Sequence, residues 1–267
     1  MKKVLTGLVV VAASLALGVS ASFAKADDYA EGTAGKGSIT GTVTLKGTPP
    51  APIMEDLNKG KNSEFCAKHP EAKEGGIRPR VKVSAAGGKL AGTVVFIEEI
   101  GSGKPWGDAG KMNFDFTLCD VVQKISVVRQ TPKGGENMIT VTNNDTDILH
   151  NPHGYSVVGA NRKTLFNKPL PSKGDVADVT KDLKRMKEGK DSHFFLQCDQ
   201  HNFMEADARI VYNPYYAITG ADGSFSIDGI PAGKYKVTAW HPYVGESTQE
   251  ITVGDGAASA NYELTAK

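Results

Sequence analysis

Apolar and polar residues alternate in short runs along much of this chain, and many of the runs are cut by a glycine, a proline or an aspartate–glycine pair. In "AITGADGSFSIDGIPAGKYKVTAWHP" (217–242), Asp222–Gly223 forms a turn signal between alternating segments. "GIPAG" supplies a second turn before Lys234 to Ala239 alternates again. A period of two sends one set of side chains inward and the other to water, as half-buried strands require. Thirty glycines and thirteen prolines are scattered among Val/Ile/Thr/Phe runs in this way. Sustained helical periodicity is nearly absent; the one stretch that could wind, Asp175 to Asp191, is mostly charged. The pattern predicts an all-β fold. With 31 basic and 30 acidic residues, the formal charge of +1 argues against a nucleic-acid footprint.

The first residues set the compartment. Lys2 and Lys3 precede the apolar run "VLTGLVVVAASLALGVSA", and "AKA" (Ala24 to Ala26) gives a small-x-small exit. The run is nearly long enough to anchor in a bilayer, but its glycines and the clean exit favour a signal peptide over 1–26, cleaved after Ala24 or Ala26, with a flexible linker over 27–36. No second apolar span follows. The expectation is an exported, periplasmic protein with no stable membrane insertion after cleavage. Three cysteines are an odd number for an oxidising compartment. Cys66 and Cys119 lie in segments without another convincing metal ligand, and they are expected to form a disulfide. Cys66 and His69 are spaced C-x2-H, but no methionine follows them. Cys198 is then the unpaired thiol, a liability unless it is used.

Cys198 begins a C-x2-H-x2-M triplet, Cys198, His201 and Met204, inside "FFLQCDQHNFMEADARIVY" (194–212). Upstream, "ITVTNNDTDILHNPHGYSVVG" (139–159) reads as strand, polar turn and return strand, with His150 at the far end of the turn. His69, His153, His193 and His241 read as surface or hydrogen-bonded histidines. Two imidazoles, a thiolate and a thioether form a blue-copper donor set: a trigonal His2Cys group with methionine as a long, weak axial ligand. Soft sulfur donors favour Cu(I), and imidazole suits both oxidation states.

On these residues the stretch from about 120 to 213 resembles the cupredoxins, and its ligand loop is similar to that of amicyanins, including Phe203 ahead of the methionine. The resemblance implies a Greek-key β-sandwich and one type 1 copper per chain. His150, Cys198 and His201 would be equatorial and Met204 axial. Asn151 would join the two ligand loops and bond near the thiolate. Asn202 stands where amicyanins have proline, and 159–191 is longer and more charged than its counterpart. The flanks, "GSITGTVTLKGTPP" (37–50), "LAGTVVFIEEI" (90–100) and 217–264, resemble a carboxypeptidase regulatory-like (Ig-like) β-sandwich. They are read as one discontinuous sandwich over 37–110 and 214–267, with the cupredoxin domain (111–213) inserted; the rival is three units in series. Function is expected to be one-electron transfer with periplasmic redox protein partners, through His201 emerging in an apolar patch of Pro152 and Phe203. The alternative is a copper-holding or envelope-interaction protein. An enzyme is not expected, because methionine leaves no open coordination position.

Overall fold

A computed structural model of the protein describes residues 29–186 and 193–266. The leader and its cleavage site lie outside the described residues, as does 187–191 of the charged stretch. The fold is all-β: the α-helices among the described residues, Ser63–Cys66 and Thr180–Leu183, are single turns. None is long and apolar enough to cross a membrane. The segment considered for helix instead contributes the strand Val176–Asp178 before its one turn.

One sandwich is built from the middle of the chain. Its five-stranded sheet runs Asn161–Asn167, Pro152–Val158, His193–Cys198, Glu205–Val211 and Ile125–Arg129. The facing sheet runs Val176–Asp178, Ile139–Asn143 and Met112–Phe116. Side-chain alternation aims the candidate donors. On His193–Cys198, Phe194, Leu196 and Cys198 form one inward row in the same core cluster as Phe114, Phe116 and Val141. Phe195 points the other way, under the Arg162 guanidinium at 4.1 Å. The thiol is therefore the last member of a core-facing row.

A second sandwich takes strands from both ends of the chain. Gly37–Lys46 pairs with Ser224–Ile230 and, in parallel, with Ala257–Ser259 and Tyr262–Thr265. Val94–Ile97 lies between Tyr216–Ile218 and Gly233–His241, with Gly245–Val253 beyond. Ile39, Val43, Val95, Ile97, Ile227 and Val237 fill its core. Gly41 is required by close approach, since a Cβ there would sit 1.7 Å from the Ala260 carbonyl oxygen. The two sandwiches meet through Val94, Phe96, Trp106, Val127, Val211 and Trp240. The Arg209 guanidinium lies 4.7 Å from the Phe96 ring centre, a cation–π contact across this seam.

Two sequence expectations are corrected here. Residues 29–31, read as part of a flexible linker, are ordered: Ala30–Glu31 pairs with Ser102–Gly103, and Tyr29 packs on Trp106 and Tyr215. Residues 53–80, read as part of the flanking sandwich, instead form a hairpin of Ile53–Asp56 with Ile77–Arg80 that packs on the central one. Leu57 and Cys66 enter the central core. Buried Arg78 pairs with Glu55 within the hairpin and with Asp120 of the central sandwich. This hairpin and its connecting turns form a cap.

Candidate metal centre

The structure brings His150, Cys198 and His201 together at one end of the central sandwich. Cys198 closes its strand opposite Pro152. The chain then folds into a compact loop in which the Cys198 amide donates to the Met204 carbonyl (3.1 Å) and the Met204 amide to the His201 carbonyl (2.9 Å). His150 arrives from the turn after Ile139–Asn143, held by paired backbone bonds to Leu170. One donor atom from each of the three side chains lies within 4.8 Å of the others, and all three residues are fully buried. The Cys198 sulfur is 3.7 Å from Nδ1 of both histidines.

The far nitrogens explain why both Nδ1 atoms face the sulfur. His150 Nε2 lies 2.9 Å from the Asp145 carboxylate, and His201 Nε2 lies 3.1 Å from the Lys61 carbonyl oxygen. Carboxylate and carbonyl can only accept, so each Nε2 carries a proton and each Nδ1 keeps a lone pair when the ring is neutral. Asp145 is 2% exposed and also accepts from the Leu118 and Cys119 amides. Burial pushes its carboxyl up, but the bonds from His150 and those two amides outweigh burial and hold it below the ordinary carboxylate range. Burial likewise pushes the Cys198 thiol up. The two imidazoles, which can take the thiol proton on Nδ1 and then donate to the thiolate, outweigh that effect together with the Asn151 amide and bring it down to about 6. Two lone pairs converging on a readily ionised sulfur form a donor set that fits a soft or borderline metal ion.

Met204 is fully buried in the same core cluster as Cys198, directly beyond the loop. Asn151 joins the two ligand loops: its amide donates to the Cys198 sulfur at 3.4 Å, its carbonyl accepts from the Asp199 amide at 3.1 Å, and its side chain reaches the Asp199 carboxylate. Cys66 and Cys119 are joined by a disulfide, and Cys198 is free. His69 lies beside Asp120 at 3.6 Å, His153 bonds Asp199, and His193 bonds Asp207.

The apolar surface patch expected at Pro152 and Phe203 is not formed. Both residues are buried, and His201 has no exposed edge. The cap lies over Phe203 and His201. Lys61 supplies its carbonyl to His201, Gly60 approaches the Phe203 and His201 rings, and Arg78 sits over Phe203 while bonding its carbonyl at 3.4 Å. Sequence reading also missed Asp145. An acidic residue in the turn five positions before a candidate ligand histidine was an available signal. Lys61 acts through its backbone and offered none.

Comparison with known proteins adds the following. Residues 210–261 match the family described as polysaccharide lyase family 4, domain II. No curated protein sequence matches the chain. Among solved structures, a copper-containing nitrite reductase from Thermus scotoductus SA-01 aligns over 38% of this chain and 22% of its own length, with 14% identity and a TM-score of 0.26. The chain thus spans about a fifth of that enzyme. An oxidised amicyanin variant aligns over 38% of this chain and 83% of its own, at 15% identity and a TM-score of 0.25. A second amicyanin variant, in the Cu(I) state, aligns over 43% and 97%, at 14% identity and 0.24.

Proposed function

We propose that the protein is a periplasmic type 1 copper protein that carries single electrons, with His150, Cys198, His201 and Met204 holding one copper ion. The observation that carries this reading is the fixing of both imidazoles through Nε2, which leaves two Nδ1 lone pairs on one thiolate. Copper, when bound, would supply a one-electron couple between Cu(I) and Cu(II). The chain's part is to hold the donors still. Asp145 and Lys61 fix the rings, the Asn151 amide orients the thiolate, and burial excludes water and further ligands. Were Met204 to take the remaining position on a bound copper, the site would suit electron transfer better than catalysis.

Titration of the metal-free protein with Cu(II) tests this. An intense thiolate-to-Cu(II) band that bleaches reversibly on reduction, and is lost in Cys198→Ser, is expected; uptake of copper without that band overturns the reading. Met204→Gln should lower the reduction potential and Met204→Leu should raise it, because a harder axial oxygen favours Cu(II) and loss of the donor favours Cu(I). Unchanged potentials in both variants would remove Met204 from the donor set.

A second reading has its own support. His201 ends at the Lys61 carbonyl rather than at the surface, and a covered ligand suits a protein that holds copper while its regulatory-like sandwich makes envelope contacts. Slow electron self-exchange in the wild-type protein would favour this alternative.

A further inference from the structure

The Cys66–Cys119 disulfide lies against the metal centre. Its two sulfurs and one imidazole nitrogen of His201 fall within 4.8 Å of one another, and none of the three residues is more than 1% exposed. The Cys66 sulfur touches the Lys61 carbonyl oxygen at 3.8 Å, the same oxygen that accepts from His201 Nε2. Leu118 and Cys119 are consecutive non-glycine residues with left-handed backbones, φ 54° and 52°. L residues hold that conformation where their surroundings impose it, most often at functional sites. Here the Asp145 carboxylate imposes it by accepting both amides while it holds His150. The covering chain is thin, since Lys61, Asn62 and Leu118 are all exposed. Cys119 is thus tied to one ligand histidine through Asp145, and the disulfide sulfurs abut the other.

We propose that Cys66 and Cys119, once reduced, form with His201 a second soft-metal site whose cation is copper(I). As a disulfide the two sulfurs are weak donors. Exchange with an external dithiol breaks the Cys66–Cys119 bond and forms one disulfide in the reductant, and two electrons and two protons pass to the cysteines. Copper(I) then replaces the two thiol protons, which leave to solvent, while the His201 Nε2 proton leaves the Lys61 carbonyl and is replaced by one on Nδ1 as the ring changes tautomer. The ion is held by two thiolates and Nε2 without a change in its oxidation state. Soft sulfur donors in a buried pocket select Cu(I) over harder divalent ions. The site shares His201 with the type 1 reading but does not use Cys198, so the two would not be filled at once, and each is tested in a form that lacks the other's thiolate.

The test uses the mature Cys198→Ser protein, which lacks the inner thiolate, under anaerobic conditions and in competition with a chromogenic copper(I) chelator. Oxidised protein should take no copper from the chelator. After treatment with a dithiol and removal of the excess, one equivalent should bind. Adding Cys119→Ser should abolish that uptake, and adding His201→Ala should weaken it by at least the roughly 10-fold seen when even an outer partner of a metal is removed. Equal uptake by oxidised and reduced protein overturns the proposal, as does an affinity unchanged by His201→Ala. Near-UV circular dichroism before copper addition guards against unfolding, and a reduced chain without its native signal also overturns it. The thiolate band of oxidised wild-type protein with Cu(II) reports the inner site separately, so the two readings can fail independently.

Discussion

Asp145→Asn probes the metal centre without touching a ligand. The carboxylate serves three donors: Leu118 N–H on Oδ1 at 2.6 Å, and Cys119 N–H and His150 Nε2–H on Oδ2, both at 2.9 Å. An asparagine has one acceptor oxygen, so it cannot serve both sides. With its oxygen toward Cys119 and His150, its NH2 faces the Leu118 amide, and a donor is left unsatisfied in a site 2% exposed. Such a loss costs about 1–3 kcal/mol, and the weakening of the charge-assisted bond to His150 adds to it. With the amide reversed, its NH2 faces His150 Nε2 and moves the ring proton to Nδ1, the nitrogen aimed at Cys198. Either way the metal-free protein should lose about 2–3 kcal/mol in urea unfolding at neutral pH. Copper affinity, read by chelator competition, should fall by roughly 10- to 100-fold. In a His150→Leu background the same change should destabilise less, since only the two amides are then at stake. A variant within about 0.5 kcal/mol of wild type, with copper affinity unchanged, would refute the role given to Asp145.

Three further outcomes are expected. Cys66→Ala with Cys119→Ala opens a loop with a sequence separation of 53, and chain entropy alone predicts about 4 kcal/mol of lost stability, visible as a lower urea midpoint. Arg78→Met removes one partner from each of the buried carboxylates of Glu55 and Asp120, paired at 2.8 and 3.1 Å, which keep Arg80 and Lys124 respectively, and should cost about 1–3 kcal/mol in the same assay. Burial holds His241 down at about 4, so on acidification the unfolded chain takes up its proton first, near the ordinary histidine value. Its contribution is complete above about pH 6.5 and is lost as pH falls to about 4, up to roughly 3 kcal/mol; His241→Phe should flatten the pH dependence of urea unfolding across that window.

The fold class was legible because alternation is a local signal. The row Phe194, Leu196, Cys198 could be read as one face of a strand, and the C-x2-H-x2-M spacing placed a histidine and a methionine within one short loop of the thiol. His150 needed only the recognition that it ends the turn between two strands. The cap was not legible. Residues 53–80 have few apolar side chains and no alternation, so nothing local says which sandwich they cover. What places them is long-range and polar: Arg78 against Asp120, the Cys66–Cys119 bond, and a backbone carbonyl that any residue at position 61 would supply. The exposure expected for Phe203 failed for the same reason, since burial under a segment distant in sequence leaves no mark on the buried residue itself.

The cap and the ligand set therefore behave as one thermodynamic unit. Arg78 holds the cap to the Phe203 carbonyl, one residue before Met204, and to Asp120, one residue after Cys119. Lys61 holds the His201 ring, and Asp145 holds the Cys119 loop and the His150 ring together. Opening the cap removes the acceptor that keeps the His201 proton on Nε2, so the open form offers a poorer donor set than the closed one. A metal that prefers the closed form must stabilise the cap by the same free energy with which the cap strengthens metal binding, because the coupling is reciprocal. A site on an uncovered loop has no such coupling. In this chain the covering hairpin, and not only the ligands, would set how tightly a metal is held there.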